Sequence, residues 1–365
     1  ADALLRTELL TLVDTEQRRN VRIRVSDAVG QLALKTLGEA AAGWPELFPF
    51  MLDATRKANA PVHEAALSIF NTLSDYMAGS MKSSHATLHG VFGASLQQQQ
   101  DMAVRVAAVR ALSSCLMALD GASERAPFQD LVPAMLQTVA DALRAGMEDQ
   151  CQEVLEIFVE IAETHTKFLK RHLPDCVNGM IAIASNTELI DSLRHTALEF
   201  LLTVAENAPS LARKLPTFCA DTVPVALAMM LELDCDTAEE LAEWENETEE
   251  DDDPDPSNYN VGEAALDRLA LGLGGKVMMP VLFAQIQEWF ISPEWKRRHA
   301  ALMAISQSGE GCEVQMKRQL ELIVSTIVTK FAAPHPRVRW AAINTIGQMS
   351  TDFGPALPRS LRSRV

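Results

Sequence analysis

Fourteen carboxylates crowd the 26 residues from Leu231 to Pro256, with no Lys or Arg among them. Such a run attracts cations rather than making or breaking bonds. Its like charges repel one another, hold the segment extended and project a negative field that decays over about 8 Å at physiological salt. Its centre, Glu243, Trp244, Glu245, Glu247, Glu249, Glu250, Asp251, Asp252 and Asp253, is expected to meet a basic partner, with Trp244 either anchoring the segment or simply ending a helical turn. The plain alternative is a solvated, unstructured loop. A second acidic pattern is more orderly. Glu153, Glu156, Glu160 and Glu163 recur at intervals of three, four and three, which places them along one face of a helix as a docking strip for lysine and arginine side chains, or as an ordinary solvated face.

Signals for catalysis are weak by comparison. Gly272–Lys276 (GLGGK) has the end of a phosphate-binding loop, but Val277 stands where Ser or Thr is required and the upstream glycine spacing is wrong. His85 and His89 have the i, i+4 spacing of a metal pair, yet no nearby thiol or carboxylate completes a set, so they read as residues of a surface helix. The sequon Asn246-Glu247-Thr248 matters only in a secreted chain, and Gln97–Gln100 reads as a polar turn. No nucleophile, base and orienting group can be assembled. No enzyme, metal or cofactor is therefore expected.

The elements that must carry these acids are set by a repeat. A small residue or Val, flanked by apolar residues one and four positions on, recurs at Val25, Ala66, Ala108, Val154, Ala197, Ala265, Ala301 and Ala342. The spacings are 41, 42, 46, 43, 68, 36 and 41. Six lie near the roughly 40 to 47 residues of a HEAT or armadillo helix pair, 36 falling just below, and the long one contains the acidic run. The expectation is an all-α HEAT-repeat solenoid, residues 1–365 forming about eight antiparallel pairs in a right-handed superhelix, with residues 234–260 a flexible acidic insert between the helices of the sixth pair. Apolar residues at intervals of three and four, as in EAALSIFNTLSDYM, and prolines at Pro45, Pro61, Pro127, Pro293, Pro334 and Pro336 support helix pairs over strands.

The register also selects a free face. Positions two and nine beyond each repeat residue point away from the core, and there stand Asp27, Ser68, Arg110, Glu156, Glu199, Asp267, Met303 and Asn344, then Asp75, Glu163, Glu206 and Glu310. Glu199, Glu206, Asp267 and Asn344 join the glutamate ladder as expected contacts for a basic partner. The formal charge of −17 falls to −3 once the acidic run is set aside, so the body is near neutral. Six scattered cysteines without a C-x-x-C pair fit a reducing compartment, and no apolar run reaches the roughly 18 to 20 residues that span a bilayer. The chain starts inside a helical pattern and is expected to be a segment of a longer one.

Three stretches go beyond repeat grammar: Ala265–Lys276 (ALDRLALGLGGK), Trp295–Cys312 (WKRRHAALMAISQSGEGC) and Pro334–Pro355 (PHPRVRWAAINTIGQMSTDFGP). With WPELFPFML, EAALSIF, VEIAET and VPVALAMMLEL, they make the chain resemble the karyopherin-β family of nuclear transport receptors, in its importin-five branch. The resemblance covers essentially the whole chain, although the family's members are roughly three times as long, so the first pair here matches about the family's third repeat and the acid-bearing pair about its eighth. It implies a monomeric receptor that shuttles between cytoplasm and nucleus. Such a receptor carries basic cargo such as ribosomal proteins and histones, docks Phe-Gly nucleoporins between outer helices and releases cargo to Ran-GTP, with the acidic insert touching Ran. It implies no direct contact with nucleic acid or membrane. A HEAT scaffold of the phosphatase or condensin-adaptor kind, without transport, is the alternative. Binding of a lysine-rich peptide separates the two.

Overall fold

The computed structural model describes residues 2–37, 43–80, 85–246 and 257–354. It divides into two compact bodies, residues 1–176 and 177–365. In the first, helices alternate between an outer and an inner member. The pairs are α1 (Asp2–Thr15) with α2 (Arg19–Leu37), and α3 (Leu47–Ala54) with α4 (Ala60–Thr72), the latter followed by α5 (Ser74–Ser80). Then come α6 (His85–Ser95) with α7 (Met102–Ala118), and, after the short α8 (Ala122–Arg125), α9 (Val132–Arg144) with α10 (Glu148–Leu169). The second body takes most of α11 (Leu173–Ala184), which begins in the first, with α12 (Asp191–Asn207), the short α13 (Pro209–Ala212), and α14 (Phe218–Met229) paired with α16 (Asn258–Leu273) across α15 (Ala238–Asn246). It ends with α17 (Gly275–Ile286) and α18 (Trp295–Ser308), the short α19 (Glu313–Lys317), and α20 (Leu320–Val328) with α21 (Pro336–Phe353).

The eight repeat residues fall on eight different inner helices, and all but the half-buried Val25 are wholly buried. Within each body successive inner helices pack on one another: α2 on α4, α4 on α7 and α7 on α10 in the first, α12 on α16, α16 on α18 and α18 on α21 in the second. A lone pair would leave its apolar stripe in water, so each supplies the surface the next one needs. Local signals start the helices where the sequence allows. Asp101 accepts from the Ala103 amide (2.9 Å) and Ser257 from the Asn260 amide (3.3 Å). Pro61 and Pro336 sit in first turns, where the missing N–H costs nothing. Pro224 and Pro280 instead lie inside the outer helices α14 and α17, where helix propensity alone would not place them.

An arginine three residues before the repeat position closes several pairs. Arg22 donates to the carbonyls of Val13 and Glu16, Arg194 to that of Ala184, Arg298 to those of Ser292 and Pro293, and Arg339 to those of Ala333 and Pro334. These carbonyls belong to the end of the outer helix or the turn that follows it, and a guanidinium with its five donors serves several orphan acceptors at once.

All six cysteines are buried and none is disulfide-bonded. Burial pushes the thiols of Cys115 and Cys219 up to about 11 and those of Cys151, Cys176 and Cys312 up to about 12, so the reactive thiolate is scarce at neutral pH. The folded chain is expected to resist a thiol-labelling reagent such as DTNB, and to take up label at these sites only in denaturant. Rapid labelling of several cysteines in buffer would contradict that burial.

Candidate functional site

Three carboxylates on or just after the inner helices of the second body lie close enough to influence one another's charge. Asp267 comes from α16, Glu310 from the turn after α18, and Asp352 from the last turn of α21. The core sides of these helices are apolar, so the polar edges that remain are brought side by side. Partial burial raises the proton affinity of Asp267, and Glu310 and Asp352 raise it further by repulsion. Asp352 is raised in the same way, by burial first and then by Glu310 and Glu313, against a hydrogen bond from Gln348 (2.9 Å) that favours the charged form. Gly309 makes the approach possible, since a Cβ there would lie 2.3 Å from the Asp352 Oδ2. Among the described residues no lysine or arginine pairs with Asp267, Glu310 or Asp352. The carboxylates thus repel one another, and a lysine or arginine side chain placed among them would relieve that repulsion. Asn344, one repeat position up α21, lies half-buried with its amide 3.8 Å from the Met303 sulfur.

The other expected cargo acids are placed differently. Glu199 and Glu206 both grip Arg268, which stands next to Asp267 on α16. Their hydrogen bonds, Glu206's first, raise its guanidinium's already high proton affinity. On α10 of the first body, Glu153 is paired with Arg110 of α7, Glu156 accepts from Gln152 (2.8 Å), and Glu160 and Glu163 are exposed. The ladder is therefore a real helix face whose first rung is already neutralised.

The described part of the acidic insert is folded and docked. Cys235 is buried, and Asp236 binds the Lys296 ammonium at 2.7 Å and the Trp295 side chain. Trp295 lies flat on His335, ring centroids 3.9 Å apart. Thr237 and Glu240 form a reciprocal capping box that starts α15: the Glu240 carboxylate accepts from the amides of Asp236 and Thr237, and the Thr237 hydroxyl accepts from the Glu240 amide. At the far end Trp244 meets Trp340 of α21 edge to face (6.3 Å), with the Arg337 guanidinium 4.9 Å from its ring centre. Glu243 and Glu245 point to solvent, while Glu247, Glu249, Glu250, Asp251, Asp252 and Asp253 lie outside the described residues.

Reading the sequence alone missed Asp352, because it stands ten rather than nine residues beyond its repeat position. Glu310 was on the free face but not among the expected contacts. The signal lay in the strip Asn344, Gln348, Asp352, each four apart on α21. Gly272–Lys276 is a helix junction: Gly274 has φ of +76° and the Gly275 amide donates to the Gly311 carbonyl at 3.1 Å. His89 contacts Asp130 (2.8 Å) and both His85 and His89 pack on Phe128. Among the described residues no group of three or more His, Cys, Asp or Glu is arranged to hold a metal, and no helix is long and apolar enough to cross a membrane.

Comparison with known proteins agrees with this architecture. Family models described as "IPO5-like, TPR repeats", "Importin repeat" and "HEAT-like repeat" match residues 17–179, 186–280 and 295–349. Importin subunit beta-3 of Saccharomyces cerevisiae is 30% identical over 363 residues, covering all of this chain and 32% of the yeast protein. A probable importin-5 homolog of Dictyostelium discoideum is 25% identical, over 89% of this chain and 29% of the relative. Among solved structures, Kap121p bound to Nup53p superposes with a TM-score of 0.88 at 29% identity, over 99% of this chain and 34% of that one. A Kap121p mutant with two aspartates and one glutamate changed to lysine superposes equally well, at 28% identity over the same shares. The chain spans about a third of the length of these relatives. The fold is that of an all-α HEAT-repeat solenoid.

Proposed function

Because this chain belongs to the importin, or karyopherin-β, family, we propose that it is the part of a nuclear import receptor that captures basic cargo. The observation that carries the reading is the cluster of Asp267, Glu310 and Asp352, whose carboxylates repel one another and pair with no lysine or arginine among the described residues. A lysine or arginine of an extended cargo segment relieves that repulsion on entering, so binding gains from the acid groups' own strain as well as from new ion pairs. Nuclear localisation signals, ribosomal proteins and histones supply such segments. The receptor then shuttles between cytoplasm and nucleus. Fluorescence anisotropy of a labelled lysine–glycine repeat peptide against the whole chain tests the reading: saturable binding that weakens with salt is expected, and no binding even at low salt would leave a structural scaffold as the better account.

Proton linkage gives a second check. The folded pKa values of Asp267 and Asp352 lie above their ordinary values, so protonation favours the empty cluster and a bound cation favours the charged one. Peptide affinity is therefore expected to fall as the pH drops from neutrality towards the raised pKa values, with protons released on binding in that window. Affinity unchanged from pH 7 down to about pH 4, the ordinary aspartate range, would contradict it.

The insert serves release. Its described acids Glu239, Glu240, Glu243 and Glu245 stand on α15, which Asp236 and Trp244 tie to α18 and α21, so a basic surface of Ran-GTP that engages α15 pulls on those helices. Deleting Glu243 to Asp253 and titrating Ran-GTP against a cargo complex tests this. Unchanged release would make the insert a bystander. For Phe-Gly nucleoporins the first body offers a groove of about 660 Å³ between outer helices α1 and α3, floored by Leu10, Trp44 and Phe50 and rimmed by Arg6, Asp14 and Lys57. Kap121p bound to the nucleoporin Nup53p lends support to a partner of this class.

A further inference from the structure

Asp267 and Arg268 are neighbours on α16, and successive residues of a helix point about 100° apart. They serve opposite sides. Asp267 faces the Glu310 and Asp352 carboxylates, while Arg268 faces α12. There its guanidinium is held by four hydrogen bonds: Nη1 to Glu199 Oε2 at 2.6 Å, Nη2 to Glu199 Oε1 at 2.8 Å, Nε to Glu206 Oε1 at 2.6 Å and Nη2 to Glu206 Oε2 at 2.8 Å. Both carboxylates bind in the two-pronged geometry that guanidinium groups favour. None of the three side chains is in the core: Glu199 is 42% exposed, Glu206 37% and Arg268 31%. Two acids two helical turns apart have converged on a cation at a solvent-facing edge, and that cation belongs to the chain itself.

We propose that the Glu199–Glu206 pair is a second cation subsite, occupied from within by Arg268. Arg268 is then a specificity-determining residue that confines basic cargo to Asp267, Glu310 and Asp352. The proposal deepens the cargo reading and rests on it. A tethered cation competes at a high effective concentration, so an incoming lysine gains little by displacing it. Without it, two unpaired glutamates would stand on the α12 side of α16, across that helix from Asp267. The chain's own arginine thus works against over-broad capture of basic segments, as repulsive elements do in other specific interfaces.

The test uses the whole chain and the same labelled lysine–glycine repeat peptide. Arg268→Gln is expected to tighten binding at low salt by about fivefold, the equivalent of one more ion pair, and to steepen the salt dependence. Arg268→Lys should bind like the parent, and adding Glu199→Gln and Glu206→Gln to Arg268→Gln should remove the gain. A folded Arg268→Gln chain that binds no tighter overturns the proposal. Should that variant fail to fold, Glu199→Gln with Glu206→Gln in the presence of Arg268 decides: affinity within about twofold of the parent supports an internally occupied pair, whereas a loss beyond about fivefold shows that cargo already uses these acids and overturns it. The underlying reading fails separately. If Asp267→Asn and Asp352→Asn leave the parent's affinity unchanged, the primary site is wrong, whatever Arg268→Gln does.

Discussion

Lysine at all three of positions 267, 310 and 352 is expected to abolish binding of a lysine-rich peptide while leaving the helical fold intact. Each replacement removes an attraction and installs a repulsion. With exposed pairs worth up to about 1 kcal/mol and partly buried ones more, the triple variant should lose about 3 to 6 kcal/mol, more than a hundredfold in affinity. The loss should shrink at high salt, because the outer part of the field is screened. Stability should move the other way from the usual mutational trend. Burial and mutual repulsion hold Asp267 and Asp352 above their ordinary pKa values, so a single neutral change such as Asp352→Asn relieves both and should raise the unfolding midpoint slightly while weakening binding. A peptide titration and a urea melt on each variant measure both quantities. Retained binding by the triple variant would move the cargo site elsewhere, first to Glu156, Glu160 and Glu163 on α10.

The pairing of helices was legible because it depends on periodicity that local sequence carries. Eight small or branched residues at near-constant spacing mark eight inner helices, and the insert explains the one long interval. The free face was legible in azimuth but not in occupancy. Glu199 and Asp267 stand at the same repeat position, yet one is clamped by arginine and the other is not, because the clamp comes from a helix more than sixty residues further on. Arg268 itself sits one residue off the strip, where a scan for acids does not look. The closing arginines were similarly hidden: the repeat pattern tolerates apolar or basic residues before the small one, and only the fold shows that Arg22, Arg298 and Arg339 meet carbonyls of their own pair. Trp244 keeps both of its sequence readings: it is half-buried near the end of α15, and it meets Trp340 edge to face with the Arg337 guanidinium close to its ring.

Glycines at the joins between pairs lead to the largest expected loss of stability. Gly311, in the turn after α18, lies against the backbone of α16: a Cβ there would stand 2.2 Å from the Ala270 carbonyl carbon, 2.4 Å from its oxygen and 2.6 Å from the Leu271 nitrogen. Gly262, inside α16, is under the same constraint within its own pair, where a Cβ would stand 2.4 Å from the Ala226 carbonyl oxygen of α14. Backbone cannot swing aside as a side-chain tip can, so Gly311→Ala must push α18 away from α16 and loosen the surface that holds Asp267 beside Glu310. Overpacking of this kind costs about 1 to 3 kcal/mol, and more where the neighbour is main chain. The expected result is a clear fall in the urea midpoint together with weaker peptide binding. Gly90 is the control. It lies inside α6 with nothing within 4 Å of the added methyl, so Gly90→Ala should stabilise its helix by up to about 1 kcal/mol and leave binding unchanged. If both substitutions were equally harmless, the close approach of successive pairs would not be what seats the acidic cluster, and the cation site would depend on side-chain packing alone.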